Sequence, residues 1–287
     1  MLRFDLQSHS VHSDGSLTPA EVVAAAAAAG VELLALSDHD SVDGVSEAGA
    51  AGREHGVRVV PAVEVSAGHG DTADLHILGY GLDPDDGPLL AALERSRADR
   101  LTRAERMADA LREIGWVLDE AALEARRTSG ASLGRPHLAE AVFSPPENAG
   151  RLAREGLSNP SRVLEAYLIP GTPAYRGRSR PTVAEAIEVI HGAGGVAVWA
   201  HPFWDFAEPG RVVETLRSFH ALGIDGIEAF YITHDAEQTR VAATAAAELG
   251  LLRTGSSDFH GPQHPLFHRF LAHEFHGLTP ELGPIAS

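Results

Sequence analysis

At 287 residues the chain can hold one large α/β domain or two smaller ones, and its 44% apolar residues suffice for a core. It contains neither cysteine nor lysine, which excludes disulfides, zinc–thiolate sites, cysteine nucleophiles, Schiff-base chemistry and a phosphate-loop lysine. The formal net charge of −17 argues against a broad nucleic-acid-binding surface, yet leaves room for a nucleotide in a local pocket.

Arginine is then the only permanently cationic phosphate ligand. Part of the negative charge can face metal, since two or three divalent ions would return about +4 to +6. The N-terminus shows no basic region followed by an apolar run, and Ala24–Ala29 is too short to span a bilayer. A cytoplasmic protein with no membrane or duplex nucleic-acid partner is expected.

Leu2, Phe4 and Leu6 alternate with polar residues as in a strand, and Gln7 and His9 point to one side. Thr18-Pro19-Ala20-Glu21 is a capping box with proline at the first helical position, opening a helix that Gly30 ends. Val31–Leu36 reads as the second strand and delivers Ser37-Asp38-His39-Asp40; a helix from Ser41 or Asp43 to about Gly56 follows. Val57–Val65 is the third strand, with Glu64 near its end, and Asp74–Tyr80 is the fourth, carrying His76. The rhythm then breaks. A long amphipathic helix spans about 84–115, and shorter helical pieces cover Glu120–Arg127, Pro136–Phe143, Ala149–Glu155 and Ser161–Leu168. Residues 85–180 are therefore read as a helical insertion over one end of an α/β domain made of 1–84 and 181–287, with Pro170–Pro181 as the returning linker.

A helix over Thr182–Ala193 resumes the pattern, followed by strand Gly195–Ala200 ending in His201-Pro202 and a helix near Arg211–Leu222. Asp225–Phe230 is a strand containing Glu228, Asp235–Leu249 a helix, and Leu251–Ser256 a strand ending in Ser257-Asp258-Phe259-His260-Gly261. The tail offers only a possible strand near Phe267–Ala272. Seven strands, each followed by a helix or by the insertion, imply a mostly parallel sheet.

The polar residues gather at strand ends: His9 and Asp14, Asp38-His39-Asp40, Glu64, His76, His201, Asp258 and His260. In a parallel barrel these positions share one rim. Taken singly, each has a bland reading as a hydrogen-bonded turn residue or helix cap. As a set they do not, because scattered solvated histidines have no reason to select strand ends. Histidine and carboxylate donors without sulfur favour Zn, Mn, Fe or Mg.

These stretches resemble the polymerase and histidinol phosphatase (PHP) family of metal-dependent phosphoesterases. The likeness rests on Asp5–Gly15, Ser37–Asp40, Pro61–Ser66, the strand with His76, Ala200-His201-Pro202 and Gly255–Gly261, in family order across nearly the whole chain. The resemblance implies a distorted (β/α)7 barrel with a helical insertion like that of small PHP enzymes acting on nucleotides, among them a 3',5'-bisphosphate nucleotidase and a 5'-end RNA exonuclease. It implies two or three divalent ions. One would be held by position 7, His9, Glu64 and Asp258; a second would share bridging Glu64 and take His76 and His201; a third would sit on Asp14, His39 and His260. A water acidified by the metals, with Asp258 and His201 beside it, would attack phosphorus. Asp38 and Asp40 would orient His39 or neighbouring ligands.

One position departs from the family. The usual His-x-His of the first strand reads Gln7-Ser8-His9, and a neutral amide oxygen is a poorer ligand than imidazole for a borderline metal. For a phosphate that is not cleaved, the candidates are Arg135 and His137 in the insertion and Arg178 on the linker, Arg135 being the one the resemblance favours. Tyr175 and Phe203 are candidates for stacking on a base. The resemblance thus points to hydrolysis of a phosphate ester of a nucleotide or short oligonucleotide. Histidinol phosphate is the second substrate considered, and a non-hydrolytic module that binds metal or nucleotide is the reading from another class.

Overall fold

A computed structural model describes residues 2–70, 72–129, 133–177 and 180–287. It divides into two compact units, Met1–Glu94 with Arg180–Ser287, and Arg95–Ser179. The first unit carries strands β1 (Phe4–Asp5), β2 (Leu33–Leu36), β3 (Arg58–His69), β4 (Thr72–Tyr80), β5 (Val196–Trp199), β6 (Gly226–Tyr231) and β7 (Leu252–Ser256). Its helices are α1 (Pro19–Ala29), α2 (Val45–His55), the start of α3 (Gly87–Glu113), α8 (Val183–Gly192), α9 (Pro202–Asp205), α10 (Pro209–Ala221) and α11 (Ala236–Glu248). The rest of α3 belongs to the second unit with α4 (Glu120–Ser129), α5 (Arg135–Phe143), α6 (Ala149–Glu155) and α7 (Pro160–Tyr167).

The seven strands lie side by side in sequence order. The chain ends then close the sheet: Leu6 N–H donates to Gly255 O at 3.2 Å, His9 N–H to Phe259 O at 2.8 Å, and Ser8 bridges Phe259 in parallel. The result is an α/β barrel.

Pairing is parallel except at β4, which runs antiparallel to both β3 and β5. This corrects the expectation of a helix or insertion after every strand. β3 continues past Val65 to His69 and turns back within a few residues, with Gly70 at φ +56°, so β3 and β4 form a hairpin. The tail around Phe267–Ala272 is not a strand but a run of turns and bends. Its backbone is satisfied by side chains instead: Leu271 N–H donates to Asp5 Oδ2 and Ala272 N–H to Ser257 Oγ.

Alternation sorts the side chains. Phe4, Leu6, Leu33, Ala35, Val60, Ala62, Leu78, Tyr80, Val198 and Ala200 form one buried cluster, while their strand neighbours Leu34, Leu36, Val63, Ile77 and Trp199 pack in clusters shared with the helices. The first set is the barrel's filling. Following it along each strand leads to the site: Val60 and Ala62 are succeeded on the same face by Glu64, and Tyr80 and Leu78 lead back to His76.

β6 breaks the alternation. The register shifts between Glu228 and Phe230, so Phe230 joins the outer cluster and Tyr231 takes the inner side that Glu228 already faces. Gly255 stands opposite, where a Cβ would lie 2.5 Å from Phe230 O.

The second unit has its own apolar core, with Met107, Leu111, Trp116, Leu138, Val142 and Val163 at its centre. Arg151 stacks over Trp116 at 3.9 Å within it. Among the described residues, no helix is long and apolar enough to cross a membrane.

Candidate metal centre

Glu64 is fully buried on the inner face of β3, and four histidines surround its carboxylate. His76 Nδ1 lies 2.6 Å and His201 Nε2 3.2 Å from Oε1, while His9 Nε2 lies 3.1 Å and His39 Nδ1 3.6 Å from Oε2. The four come from the ends of β1, β2 and β5 and from the middle of β4. Because β4 runs backwards, its middle reaches the level where the parallel strands end.

The second focus is Asp14, on the loop after β1. Its oxygens lie 3.4 Å from His260 Nε2, 3.6 Å from His39 Nε2 and 3.7 Å from His9 Nδ1. Asp258 joins the two foci, with Oδ1 3.0 Å from His9 Nε2 and 3.7 Å from His260 Nδ1. Two groups have ligand atoms all within 4.8 Å of one another: His9, Asp14, His39 and His260, and His39, Glu64 and His76. Glu64, His9 and Asp258 are buried, while Asp14, His39, His76 and His260 are half-buried on the open side.

Hydrogen bonds hold this ring from behind. Asp38 accepts from Ser10 N–H, Ser10 Oγ and Ser13 Oγ at 2.6–2.7 Å, and Ser13 Oγ lies 3.3 Å from His9 Nδ1. Asp40 accepts from the N–H and hydroxyl of Ser66, tying the loop after β2 to β3. His201 N–H donates to Glu228 Oε2 at 2.9 Å, and Tyr231 donates its hydroxyl to Asp258 Oδ2 at 2.7 Å. Gly15 closes the Ser10–Gly15 loop where a Cβ would lie 2.2 Å from His9 O. Backbone strain concentrates here too. Asp40 (φ 51°), His201 (φ 28°) and Asp258 (φ 51°) are three of the five described non-glycine residues at positive φ.

The electrostatics follow from burial and neighbours. Burial pushes the Glu64 carboxyl up, but the His39 and His76 imidazoles and the hydrogen bonds from His201 and His76 hold it well below the usual carboxylate range. Burial likewise opposes ionisation of Asp258, which the His260 charge and the His9 imidazole 3.0 Å away outweigh, leaving it at about 2. His201 is lowered by burial and raised more strongly by its hydrogen bond to Glu64, to about 10.

The donor set fits divalent cations. His9 Nε2, His39 Nδ1, Asp14 Oδ1 and Asp258 Oδ1 are buried and make no aligned hydrogen bond. Buried polar atoms left this way are costly unless something binds them, and imidazole with carboxylate suits Zn, Mn, Fe or Mg.

Gln7 is present but differently engaged. Its Nε2 donates to Glu64 Oε2 at 2.9 Å, and its Oε1 accepts from Ser256 Oγ at 3.3 Å. Arg135 and His137 begin α5 in the other compact unit, where Gly134 N–H donates to His137 Nδ1. Arg178 lies outside the described residues. Tyr175 lies under Arg103, 5.2 Å from its guanidinium, and Phe203 sets its edge against His234.

Sequence reasoning assigned no role to Glu228, Tyr231, Ser10, Ser13, Ser66 or Ser256. One signal was visible: a carboxylate inside the otherwise apolar strand Gly226-Ile227-Glu228-Ala229-Phe230-Tyr231 has no bland use unless it is hydrogen-bonded. Tyr231 was hidden by the bulge, which strict alternation does not reveal.

A strand-end ring of histidines around one buried glutamate, at the mouth of an α/β barrel, is the frame of a metal-dependent hydrolase. The family model described as "PHP domain" matches residues 5–117. The 3',5'-nucleoside bisphosphate phosphatase of Chromobacterium violaceum is 36% identical over 267 residues, 91% of this chain and 88% of that protein. The 5'-3' exoribonuclease of Haemophilus influenzae is 32% identical over 260 residues, 91% of this chain and 90% of that protein. A solved structure from Bifidobacterium adolescentis, assigned as a metal-dependent phosphoesterase, superposes with a TM-score of 0.79 at 28% identity, covering 99% of this chain and 93% of that one. This chain belongs to the PHP domain family. It is an enzyme, a metal-dependent phosphoesterase, so the non-hydrolytic reading is set aside.

Proposed function

We propose that the enzyme hydrolyses a phosphate ester of a nucleotide or short oligonucleotide, using two or three divalent ions gathered about Glu64. The observation that carries this is the approach of four imidazoles, from His9, His39, His76 and His201, to the two oxygens of one buried carboxylate at 2.6–3.6 Å. That is more donors than a single tetrahedral ion uses. His9, Glu64 and Asp258 would hold one ion, Glu64, His76 and His201 a second, and Asp14, His39 and His260 a third. Bound there, divalent ions supply an acidified water and neutralise charge on the phosphoryl oxygens.

The chain's residues do the rest. Asp258, its Oδ2 fixed by Tyr231, presents Oδ1 to receive the proton of the attacking water. His201 stands across Glu64 with Nε2 3.2 Å from Oε1, and as a neutral imidazole it would complete the second ion's donor set beside the reacting water. Gln7 steadies Glu64 through its amide N–H, and its neutral oxygen is at most a weak ligand. Arg135, with His137, binds a phosphate that is not cleaved, and Arg178 is assigned to the same task.

The nucleotide reading is supported by the two relatives, named for a nucleoside bisphosphate and for RNA 5' ends. It is tested by assaying a nucleoside 3',5'-bisphosphate, a 5'-phosphorylated oligoribonucleotide and histidinol phosphate with Mn, Mg and Zn. The nucleotide substrates should lead in kcat/KM by about tenfold or more, the scale of one lost recognition contact. Faster turnover of histidinol phosphate would replace this reading with the second.

A further inference from the structure

We infer that Trp204 is the platform on which the substrate's base stacks, an inference that rests on the nucleotide reading above and deepens it. Trp204 is 58% exposed, the most exposed of the large hydrophobic side chains among the described residues. A tryptophan left in water forgoes a large burial gain, and a fixed one offers a π-face on which another ring can stack. Trp204 is fixed. Its indole N–H donates to Thr233 Oγ1 at 2.8 Å, and its backbone N–H to His201 O at 2.9 Å. The helical turn that bears it is anchored by its neighbour Asp205, which accepts from Trp199 Nε1 at 2.8 Å.

Its position relates it to the phosphate chemistry. The indole centroid lies 6.5 Å from the His201 ring, 6.5 Å from the Tyr231 ring and 5.7 Å from the Phe267 ring. Phe267 in turn lies 5.3 Å from His260. The indole and its buried support Phe267 thus run from His201 to His260, residues of two different proposed metal groups. A phosphoryl group held at the ring places the attached nucleoside beside this shelf, and any base can use it because every base has a π-face. Phe203, the stacking candidate from the sequence, is instead turned against His234.

The test compares metal-loaded wild type, Trp204→Ala and Trp204→Phe on a nucleoside 3',5'-bisphosphate and on ribose 5-phosphate, which has no base. Trp204→Ala should lower the ratio of kcat/KM between the two by about ten- to a hundredfold, through KM, and Trp204→Phe should recover most of it. A second readout does not need turnover. Trp116 and Trp199 are buried, so emission from a solvent-exposed indole reports Trp204, and a nucleoside monophosphate should quench it where ribose 5-phosphate does not. Equal loss on both substrates, or loss confined to kcat, would overturn the inference while leaving the nucleotide reading in place. Base-dependent quenching without nucleotide hydrolysis would keep the shelf and sink the hydrolytic reading. Absence of both quenching and discrimination removes the shelf.

Discussion

Gln7 donates its side-chain amide to Glu64 across 2.9 Å, at the place where the resemblance leads one to expect a histidine. The contact makes the glutamine a support for the central carboxylate. Gln7→Ala should therefore cost about tenfold in metal affinity or rate, the lower end for losing a hydrogen bond to a ligand. Glu64→Ala removes the carboxylate on which four imidazoles converge and should cost on the order of a thousandfold. Gln7→His should raise affinity for Zn or Mn. Competition titrations with a metal-binding dye and phosphoesterase rates across the three variants check the order. Equal damage from Gln7→Ala and Glu64→Ala would make the glutamine a principal ligand or a substrate contact.

Tyr231 acts through Asp258, whose Oδ2 it holds at 2.7 Å. Tyr231→Phe keeps the ring and removes only the hydroxyl. The expected result is a fall of about tenfold or more in kcat with a smaller change in KM, and a shift of the acidic limb of the pH–rate profile to higher pH, since the carboxylate loses a stabilising donor. An unchanged acidic limb would show that the hydroxyl does not tune Asp258.

The barrel and the gathering of these side chains were legible because the candidate ligands sit at the ends of apolar runs: Leu33–Leu36 leads to His39, Val196–Trp199 to His201, and Leu252–Ser256 to Asp258 and His260. What was not legible came from pairing. The β3–β4 hairpin looks in sequence like two strands of a βαβ rhythm, since direction of travel leaves no mark on an apolar run. The β6 bulge moves Tyr231 inward against the alternation rule, and its signal is Gly255 on the facing strand, 25 positions after Phe230. Trp204 lies on a helical turn too short for periodicity to show.

Gly255 also carries a stability prediction. Adding a Cβ there brings it 2.5 Å from Phe230 O and 2.6 Å from Phe230 Cβ, so either the bulge or the β6–β7 pairing must shift. Gly255→Ala should lower unfolding free energy by about 1–3 kcal/mol, as overpacking does. Urea unfolding measures it, and a midpoint equal to wild type would mean that the bulge is not tightly built.

His273 gives a pH dependence away from the metal centre. It is buried beside Phe4 and Phe275, with Nδ1 unpartnered, and burial holds its imidazole down to about 4. Unfolded, it returns to about 6.5. Between those values the unfolded chain binds a proton that the folded chain does not, so stability rises with pH across this window. It is fully present above about 6.5 and lost as pH falls towards about 4. The lowered value corresponds to about 3 kcal/mol over the window. His273→Phe should flatten urea-unfolding stability between pH 7 and about pH 5 relative to wild type; parallel slopes would count against it.

A shared, multi-ion centre at Glu64 underlies the proposed chemistry, and it can be read from metal content. Protein purified without chelator and resupplied with Mn or Zn should carry two or more ions per chain by elemental analysis, as expected for a carboxylate bridging two cations. Glu64→Ala should lose more than one of them together, because the carboxylate is common to the groups around His9, His39, His76 and His201. A wild-type ratio of one or below that persists after metal addition, or a Glu64→Ala protein with undiminished metal content, would contradict it.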